Sequence, residues 1–429
     1  MANHSRSILG AAGIVAGLFL LAAVYAIHSG RSLERAAYDQ DTYHLPAILN
    51  FQRQWPHLDF SNYPSATTPG YHVLLAAVGR SLADNTATLR LLGALFTAGL
   101  LATLAGAAAQ RGGMTVAVTL CLPVVCSIYV FSSGAWLLPD NAGWWGVLGV
   151  LLIALRRRVD AWTFVGGGLV LLLVVLVRQN DLWTAAALCA AAWLGTGTPA
   201  GGTASDAPKG RARRVLGMLV AILPAVLVLG WLFHLWHGTV PPQQQALVGG
   251  GNAAAPAAAL AVAGILGVFY VGFLPAGSLS KPGGLRKWAI AGAVIGLLIG
   301  IIPHTTYDFG AGRSSGIWNL VPHVPSFFDR SPLMIALAGL GGATVAVWLA
   351  ALPRRDRVIC VVAAGAFLVV QAAAHNAFHR YYEPFILIIA AVTVVRFPPP
   401  RARWALLGPL LLAVLLGSLT AWTMFGSKK

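Results

Sequence analysis

The sequence predicts an all-α protein, a polytopic bundle of about 11–13 transmembrane helices, and three of its features are typical of that class. Of its 429 residues, 57% are hydrophobic and only 10% are charged, with a mean hydropathy of +0.73. Soluble domains carry about a quarter charged residues. Apolar stretches long enough to cross a bilayer recur along the chain. The loops between them alternate: one set holds nearly all the Arg and Lys runs, and the other nearly all the acidic and aromatic clusters.

This alternation predicts the orientation of each span, since Arg and Lys beside a span stay on the cytoplasmic side. The basic start and the apolar run at 8–28 place the N-terminus in the cytoplasm and the first loop, 29–85, outside. In that loop we expect two amphipathic surface helices, one at 41–55 and one at 70–82, the second because 70–82 is too short to cross. The further predicted spans are 88–110, 114–132, 143–155, 162–177, 182–194, 215–236, 253–275, 288–302, 333–352, 358–374, 385–395 and 406–424.

The whole chain, 1–429, is predicted to be one integral membrane domain, interrupted by a flexible cytoplasmic linker at 197–214 that is rich in Gly, Ser and Thr. The formal net charge is +16, but the basic residues lie in short loops, so topology explains them and nucleic acid is excluded as a partner. The Ala, Gly and Arg richness is typical of a GC-rich bacterial genome. We therefore expect a multi-pass protein of the bacterial inner membrane, with its active site facing the periplasm.

Carboxylates are scarce, and most of those near spans lie in the predicted outer loops. The chain has 13 acidic residues, and a partly desolvated carboxylate at a membrane boundary is costly enough to indicate function. Desolvation also raises a carboxyl pKa towards a value useful for a general base. Eight carboxylates of the outer loops are singled out: Asp39, Asp41, Asp59, Asp140, Asp181, Asp308, Asp329 and Glu383.

Asp41 and Asp39 are the candidate catalytic residues, with two alternatives left open. Asp41 precedes an apolar-periodic run and could cap the helix that begins there. Asp39 and Asp41 together also have the DxD spacing of carboxylates that bind a divalent cation, although the strand-turn context of a nucleotide-binding fold is missing. The metal ligands, if any, stay unassigned.

A cationic set lies on the same predicted face. Guanidinium groups bind phosphate oxygens bidentately, and imidazoles add a hydrogen bond. Arg178 stands at the outer end of a span, where positive residues are rare; snorkelling or an ion pair with Asp181 are the alternatives to phosphate binding. The set comprises Arg178, Arg313, Arg330, His375, His379 and Arg380.

Several outer-face motifs resemble those of the GT-C superfamily of multi-spanning glycosyltransferases. The similarity is greatest to the terminal α-1,2-glucosyltransferase family of the dolichol-linked oligosaccharide pathway. The matching runs are DTYHLP at 41–46, TTPGY at 67–71, RQN at 178–180 and, more loosely, NAFHRYY at 376–382. The family has an adjacent acidic pair where this chain has Gln40 and Asp41, so Asp41 is the first candidate for the acidic role and Asp39 its rival.

The resemblance implies a GT-C type fold and a set of substrate-binding residues. The candidate substrate-binding residues, from the motifs and the outer loops together, are His44, Tyr71, Asp140, Arg178, Gln179, His375, His379, Arg380 and Tyr381.

The predicted activity is an inverting transfer of one sugar from a polyprenyl-phosphate-linked donor to an acceptor hydroxyl at the outer membrane face. The expected partners are that donor, a glycan or lipid-linked acceptor, and membrane lipids. No cofactor is required, because arginines can neutralise the leaving phosphate; a divalent cation stays open. The alternatives are a transporter or flippase of lipid-linked glycans, and a polysaccharide ligase or polymerase. Charges gathered at one membrane face, without an obvious internal repeat, favour an enzyme over a carrier.

Overall fold

The computed structural model describes residues 2–30, 34–82, 85–195, 208–248, 250–275, 278, 284–304, 316–397 and 403–425. Within these ranges the chain is all helical, and its only β-type pairing is an isolated bridge between Phe327 and Arg330. The helices are α1 Ala2–His28, α2 Glu34–Asp39, α3 Leu45–Gln54, α4 Gly70–Leu82, α5 Thr86–Cys126, α6 Ile128–Ala135, α7 Asp140–Ala154, α8 Ala161–Val177, α9 Ala185–Leu194, α10 Pro208–Trp236, α11 Pro242–Val248, α12 Ala255–Gly267, α13 Arg286–Ile301, α14 Pro332–Ala351, α15 Arg354–Ala372, α16 Glu383–Val394 and α17 Leu407–Phe425.

The prediction of an all-helical fold is confirmed for the described residues, and the helices are compatible with a multi-pass membrane protein. In the described part of the chain, six helical segments are long and apolar enough to cross a membrane, and the pair α6 and α7, bent by 114°, makes a seventh if it counts as one span. Most of the other predicted spans are shorter helices, such as α8 at 17 residues and α9 at 10. The count of about thirteen spans stays a prediction, because it treats these short helices as full crossings.

The longest helical segment, α5, contains a break that matches two predicted spans. Gly113 has φ 77° and ψ 174°, a conformation that glycine adopts without a Cβ clash and that no helix contains. The break lies between the predicted spans 88–110 and 114–132, next to Arg111. A second break follows at Ser127, whose hydroxyl accepts the Val130 N–H to start α6.

One end of the bundle, here named the arginine end, is closed by arginines that donate to the last carbonyls of helices. Arg355 donates to the oxygens of Ala154 and Gly195, which end α7 and α9. Arg357 donates to the oxygen of Ala350 near the end of α14. Cations at helix carboxyl ends satisfy carbonyls that lack helical partners and complement the helix dipole. The basic loops predicted to share one face therefore do meet at one end.

The opposite end, here named the aspartate end, carries the first loop. The C-terminal end of α17 lies there too, since the rings of Phe425 and Tyr25 at the ends of α17 and α1 are 6.3 Å apart. The loop packs on the end of α10 and on α11 through the Trp236 Nε1 bond to the Phe60 oxygen, 2.7 Å, and the Gln244 Nε2 bond to the Pro64 oxygen, 2.9 Å.

The predicted start of the first loop's helix is wrong. The chain is already helical from Glu34, passes through a π-helical turn at Gln40–His44 and continues as α3. Asp41 therefore lies inside a continuous helical stretch and caps no helix. The predicted helix at 70–82 is confirmed as α4, which approaches α8 so closely at Gly70 that a Cβ there would lie 2.6 Å from the Leu176 oxygen.

Part of the predicted linker at 197–214 lies outside the described residues. From Pro208 onward the chain is helical, so the basic run at 209–214 belongs to the first turns of α10. Asp308 and Arg313, singled out from the sequence, also lie outside the described residues.

Candidate functional site

The first part of the site is a buried ion pair between α7 and the end of α8. Arg178 leaves α8 with an extended backbone (φ −147°, ψ 113°), which turns its side chain towards α7. Its Nη1 lies 3.2 Å from Oδ1 of Asp140, the first residue of α7, and each side chain is only 11% exposed. Burial by itself lowers the pKa of Arg178, but Asp140 and Asp181 reverse this and raise it above its usual value. The guanidinium is therefore firmly charged.

A second ion pair joins the two ends of the chain. Arg380, in the 3₁₀ turn His379–Tyr381, donates to Asp39 at the end of α2. This pair is more accessible than the first, with side-chain exposures of 30% for Arg380 and 20% for Asp39.

Tyr381 connects the two ion pairs. Its ring centre lies 5.5 Å from Cζ of Arg178 and 5.3 Å from Cζ of Arg380, within cation–π range of both. We name this set of five, Asp39, Asp140, Arg178, Arg380 and Tyr381, the paired-arginine cluster. It places two guanidiniums from separate parts of the chain around one aromatic ring at the aspartate end.

Asp41 lies beside the cluster on the π-helical turn, and it is exposed. Its Oδ1 accepts a 2.9 Å hydrogen bond from Nε2 of Gln40, whose own Oε1 accepts the Leu137 N–H at 3.4 Å. Short π-helical turns are frequent at functional sites because they redirect side chains without ending the helix. Here Asp39, just before the turn, pairs with Arg380, whereas the Asp41 side chain on the turn is exposed to solvent.

His44, on the same turn, pairs with His72 of α4. Nδ1 of His44 lies 3.0 Å from Nε2 of His72, and the rings are nearly parallel at 12°. Burial lowers the pKa of His44 to about 4, although Asp140 and Asp39 partly oppose it, and burial also lowers the pKa of His72. Both rings are neutral at pH 7, so one donates its N–H to the other. His44 is therefore a neutral polar group at the edge of the cluster.

Two of the sequence motifs meet at Gln179. Its Oε1 accepts the Thr68 N–H at 3.1 Å, and its Nε2 donates to the Ala66 oxygen at 2.7 Å. The Thr68 hydroxyl in turn donates to the Val175 oxygen at 2.6 Å. Gln179 thus fixes the loop before α4 to the end of α8, and its amide is occupied by backbone groups. The structure gives it a positioning role next to Arg178.

Tyr71 is buried rather than open to the cluster. Its ring packs on His72 and Phe96, each 5.5 Å away, and its hydroxyl has no hydrogen-bond partner in the part of the chain that the structure describes. Gly93 makes room for it, since a Cβ there would lie 2.9 Å from the Tyr71 hydroxyl oxygen.

His379 supports the turn that carries Arg380. Its Nε2 lies 3.1 Å from Oε2 of Glu383, and Oε1 of Glu383 accepts a 2.6 Å hydrogen bond from Ser127. Its ring stacks on Tyr129 at 5.2 Å. His375 is different: its backbone oxygen accepts from Asn252 at 3.3 Å, and no contact between its side chain and the cluster is found among the described residues.

Two residues that reach the site escaped the sequence reasoning. His72 follows Tyr71 directly, but a lone His at the start of an apolar helix carries little signal. Arg90 donates to the Ala135 oxygen at 2.6 Å, packs over Trp136 and lies within electrostatic reach of Asp41. Like Arg178, it is an arginine at the outer end of a predicted span, and that signal could have identified it.

An apolar cavity lies inside the bundle, between α12, α14, α15 and α16. Its lining includes Phe385, whose ring stacks on Trp144 at 6.0 Å. Trp144 in turn lies 5.5 Å from Cζ of Arg178. Aromatic contacts therefore connect the cavity to the guanidinium.

Within the described ranges, no group of three or more His, Cys, Asp or Glu side chains is arranged to hold a metal ion. The DxD pair has other contacts: Asp39 pairs with Arg380, and Asp41 accepts from Gln40. Arg330, from the predicted cationic set, donates to backbone oxygens of Ile302 and Phe328 instead of joining the cluster.

Asp181 shares Arg178 with Asp140 but is poorly solvated. Burial raises its pKa from 3.8 to about 6, although Arg178 and a hydrogen bond from Trp183 oppose the change; its Oδ2 has no hydrogen-bond partner among the described residues. Because the native pKa is the higher one, the unfolded protein loses its proton first. Stability therefore falls as the pH rises from about 4 to about 6, and the full penalty persists above that range.

We expect Asp181→Asn to remove this penalty. The variant should be more stable than wild type at pH 7.5, by up to about 3 kcal/mol from the size of the pKa difference, and equal to it near pH 4. Thermal unfolding in detergent, followed by tryptophan fluorescence at both pH values, measures the difference. A variant that is less stable at pH 7.5 would mean that the carboxylate contributes more through Arg178 than burial costs it.

Comparison of the chain with protein-family models, with characterised proteins and with solved structures finds no match.

Proposed function

We propose that this chain is an inverting glycosyltransferase that moves a single sugar from a polyprenyl-phosphate-linked donor to an acceptor hydroxyl at the aspartate end. The observation that supports this best is the paired-arginine cluster beside an exposed aspartate. An anion site and a free carboxylate at one membrane boundary are the two groups that such a transfer needs. We assign the aspartate end to the periplasmic face of a bacterial inner membrane, on the charge pattern of the loops.

In this proposal Arg178 and Arg380 bind the donor phosphate. Both guanidiniums have donors left besides those that face their carboxylates, and Tyr381 holds their planes near each other. Negative charge grows on the phosphate oxygen as the glycosidic bond breaks, and fixed cations stabilise that charge without reorganisation. Each arginine is already paired with a carboxylate. When a phosphate binds, each arginine exchanges part of its contact with the carboxylate for a contact with the phosphate.

Asp41 is the proposed general base. Asp39 and Asp140 are each occupied by an arginine, whereas Asp41 is exposed and its hydrogen bond comes from a neutral amide. The acceptor oxygen forms a bond to the anomeric carbon while the carbon–oxygen bond to phosphate breaks on the opposite face. The acceptor proton passes to Asp41, and polyprenyl phosphate leaves. One such displacement inverts the anomeric configuration.

The apolar cavity supports a lipid-linked donor. It opens between helices of the bundle and is lined almost entirely by apolar side chains, among them Leu260, Trp348, Phe367 and Ile386. Its connection through Phe385 and Trp144 leads to Arg178. At about 70 Å³ the cavity has room for only part of a polyprenyl chain, so the rest of such a lipid would lie outside it.

The test is to incubate membranes containing the protein with a panel of radiolabelled polyprenyl-phospho-sugars and a native lipid extract. We expect one donor to release polyprenyl phosphate and to yield a glycoside of inverted configuration, and membranes without the protein to release none. A product extended by a whole glycan from a lipid diphosphate would identify a ligase or polymerase. Donor translocation without release would identify a carrier.

A further inference from the structure

The arginine end holds a second cluster of charge, far from the paired-arginine cluster, in which guanidiniums outnumber carboxylates. Arg396 donates to Asp356 at 2.8 Å, and Arg355 lies 3.9 Å from the same carboxylate. Arg111 is within electrostatic reach of Arg396, Asp356 and Arg157. Arg111, Arg355 and Arg396 therefore share one carboxylate, with Arg157 a further positive charge near Arg111, and the repulsion among these guanidiniums favours binding of a further anion.

Two of these arginines line a small pocket with an otherwise apolar wall. The lining consists of Ala107, Arg111, Leu152, Val392, Val395 and Arg396. The Arg396 side chain is only 7% exposed, and its Nε has no hydrogen-bond partner in the described part of the chain. Arg111, by contrast, is exposed at the break in α5. The pocket thus combines two guanidiniums with the apolar flanks of α5, α7 and α16.

We propose that the phosphate headgroup of an anionic membrane lipid binds at the mouth of this pocket, whose interior of about 10 Å³ is too small to enclose it. The headgroup contacts Arg111 and Arg396, and the acyl chains lie along α5, α7 and α16. Guanidiniums select phosphate through paired, charge-assisted hydrogen bonds. The apolar wall favours an amphipathic anion over a free one, and basic pockets between membrane helices on the cytoplasmic side are suited to lipid headgroups. Topology alone does not explain arginines gathered in a pocket. Exposed arginines such as Arg158 are enough to keep a loop on the cytoplasmic side.

Binding is tested on the purified full-length protein in a neutral detergent, with short-chain phosphatidic acid as the probe. Native mass spectrometry counts bound lipid, and the shift in thermal unfolding gives an apparent Kd. Arg111→Gln is the main variant, because Arg111 is exposed and its loss leaves the Arg396–Asp356 pair in place. Arg158→Gln is the matched control: it removes one exposed arginine from the same end, outside the pocket.

We expect Arg111→Gln to weaken binding at least about tenfold, the size expected for one charge-assisted hydrogen bond, and Arg158→Gln to stay within about twofold of wild type. Equal losses in the two variants would overturn the proposal in favour of diffuse attraction. Equal binding of short-chain phosphatidylcholine would overturn the headgroup selectivity, and binding of inorganic phosphate as tight as that of the lipid would overturn the role of the apolar wall. None of these outcomes depends on glycosyl transfer.

Discussion

We expect Asp41→Asn to lower the proposed sugar transfer by about 10²- to 10⁴-fold, the range that a positioned general base contributes. Asn keeps the shape of the side chain and its contact with Gln40 but cannot accept the proton of the acceptor hydroxyl. Asp41 is exposed, so the substitution leaves no buried charge unpaired and should not affect folding. The measurement is release of polyprenyl phosphate per mole of folded protein, with membrane insertion checked by detergent extraction and gel filtration.

Two further variants separate the role of Asp41 from that of a neighbouring charge. Asp59→Asn is the matched control, an exposed aspartate of the same loop whose carboxylate accepts hydrogen bonds only from the N–H and the hydroxyl of Ser61 among the contacts described. We expect it to keep wild-type turnover. Asp39→Asn releases Arg380 and should raise the KM for the donor more than it lowers kcat. If Asp41→Asn retains turnover within about threefold of wild type, an effect too small for a general base, Asp39 takes over that role.

Replacing Arg178 by Met removes both a proposed phosphate ligand and the partner of a buried carboxylate. Losing one preorganised donor to developing charge costs about 10²- to 10³-fold in kcat. Breaking a buried ion pair on one side costs about 3–5 kcal/mol of stability, because Asp140 is left as an uncompensated charge. We expect both effects in this variant, measured as turnover and as the midpoint of thermal unfolding.

The double variant Arg178→Met with Asp140→Asn separates the two effects. Asp181 still lacks the cation that it shared with Asp140, but Asp140 is no longer an unpaired carboxylate, so the double variant should regain part of the lost thermal stability, as replaced buried pairs often do. Its turnover should stay at least about 10²-fold down, since the phosphate ligand is still missing. Recovery of turnover together with stability would show that Arg178 acts only by holding Asp140 in place.

The sequence predicted the helical class and the grouping of the loops because both follow from hydropathy and charge, which are local properties. The grouping is visible in Arg355, which donates to the ends of α7 and α9. The start of the first outer helix was not predictable in the same way. Asp41 looks like a cap in the sequence, but the upstream helix from Glu34 continues through it.

The candidate residues from four motifs do come together in part, but their pairing could not be read from the chain. Arg178 was expected either to bind phosphate or to pair with Asp181, and its closest carboxylate is Asp140. Asp39 was a rival base and is instead the partner of Arg380. Pairings of this kind depend on how helices distant in sequence pack, which spacing does not encode. His44 and His72 illustrate the same limit, since their contact requires α4 to fold back on the π-helical turn of the first loop.

The ion pair between Asp39 and Arg380 joins residues 341 positions apart. Its consequence concerns biogenesis. The ribosome synthesises Asp39 early and Arg380 late, so the Asp39 carboxylate lacks its arginine partner while most of the chain is being inserted. The paired-arginine cluster is completed only after α15 has been inserted, and any chain terminated before that point carries half of the site. Closing so long a loop is entropically unfavourable, which makes this pair a late contact in assembly and ties its formation to completion of the whole bundle.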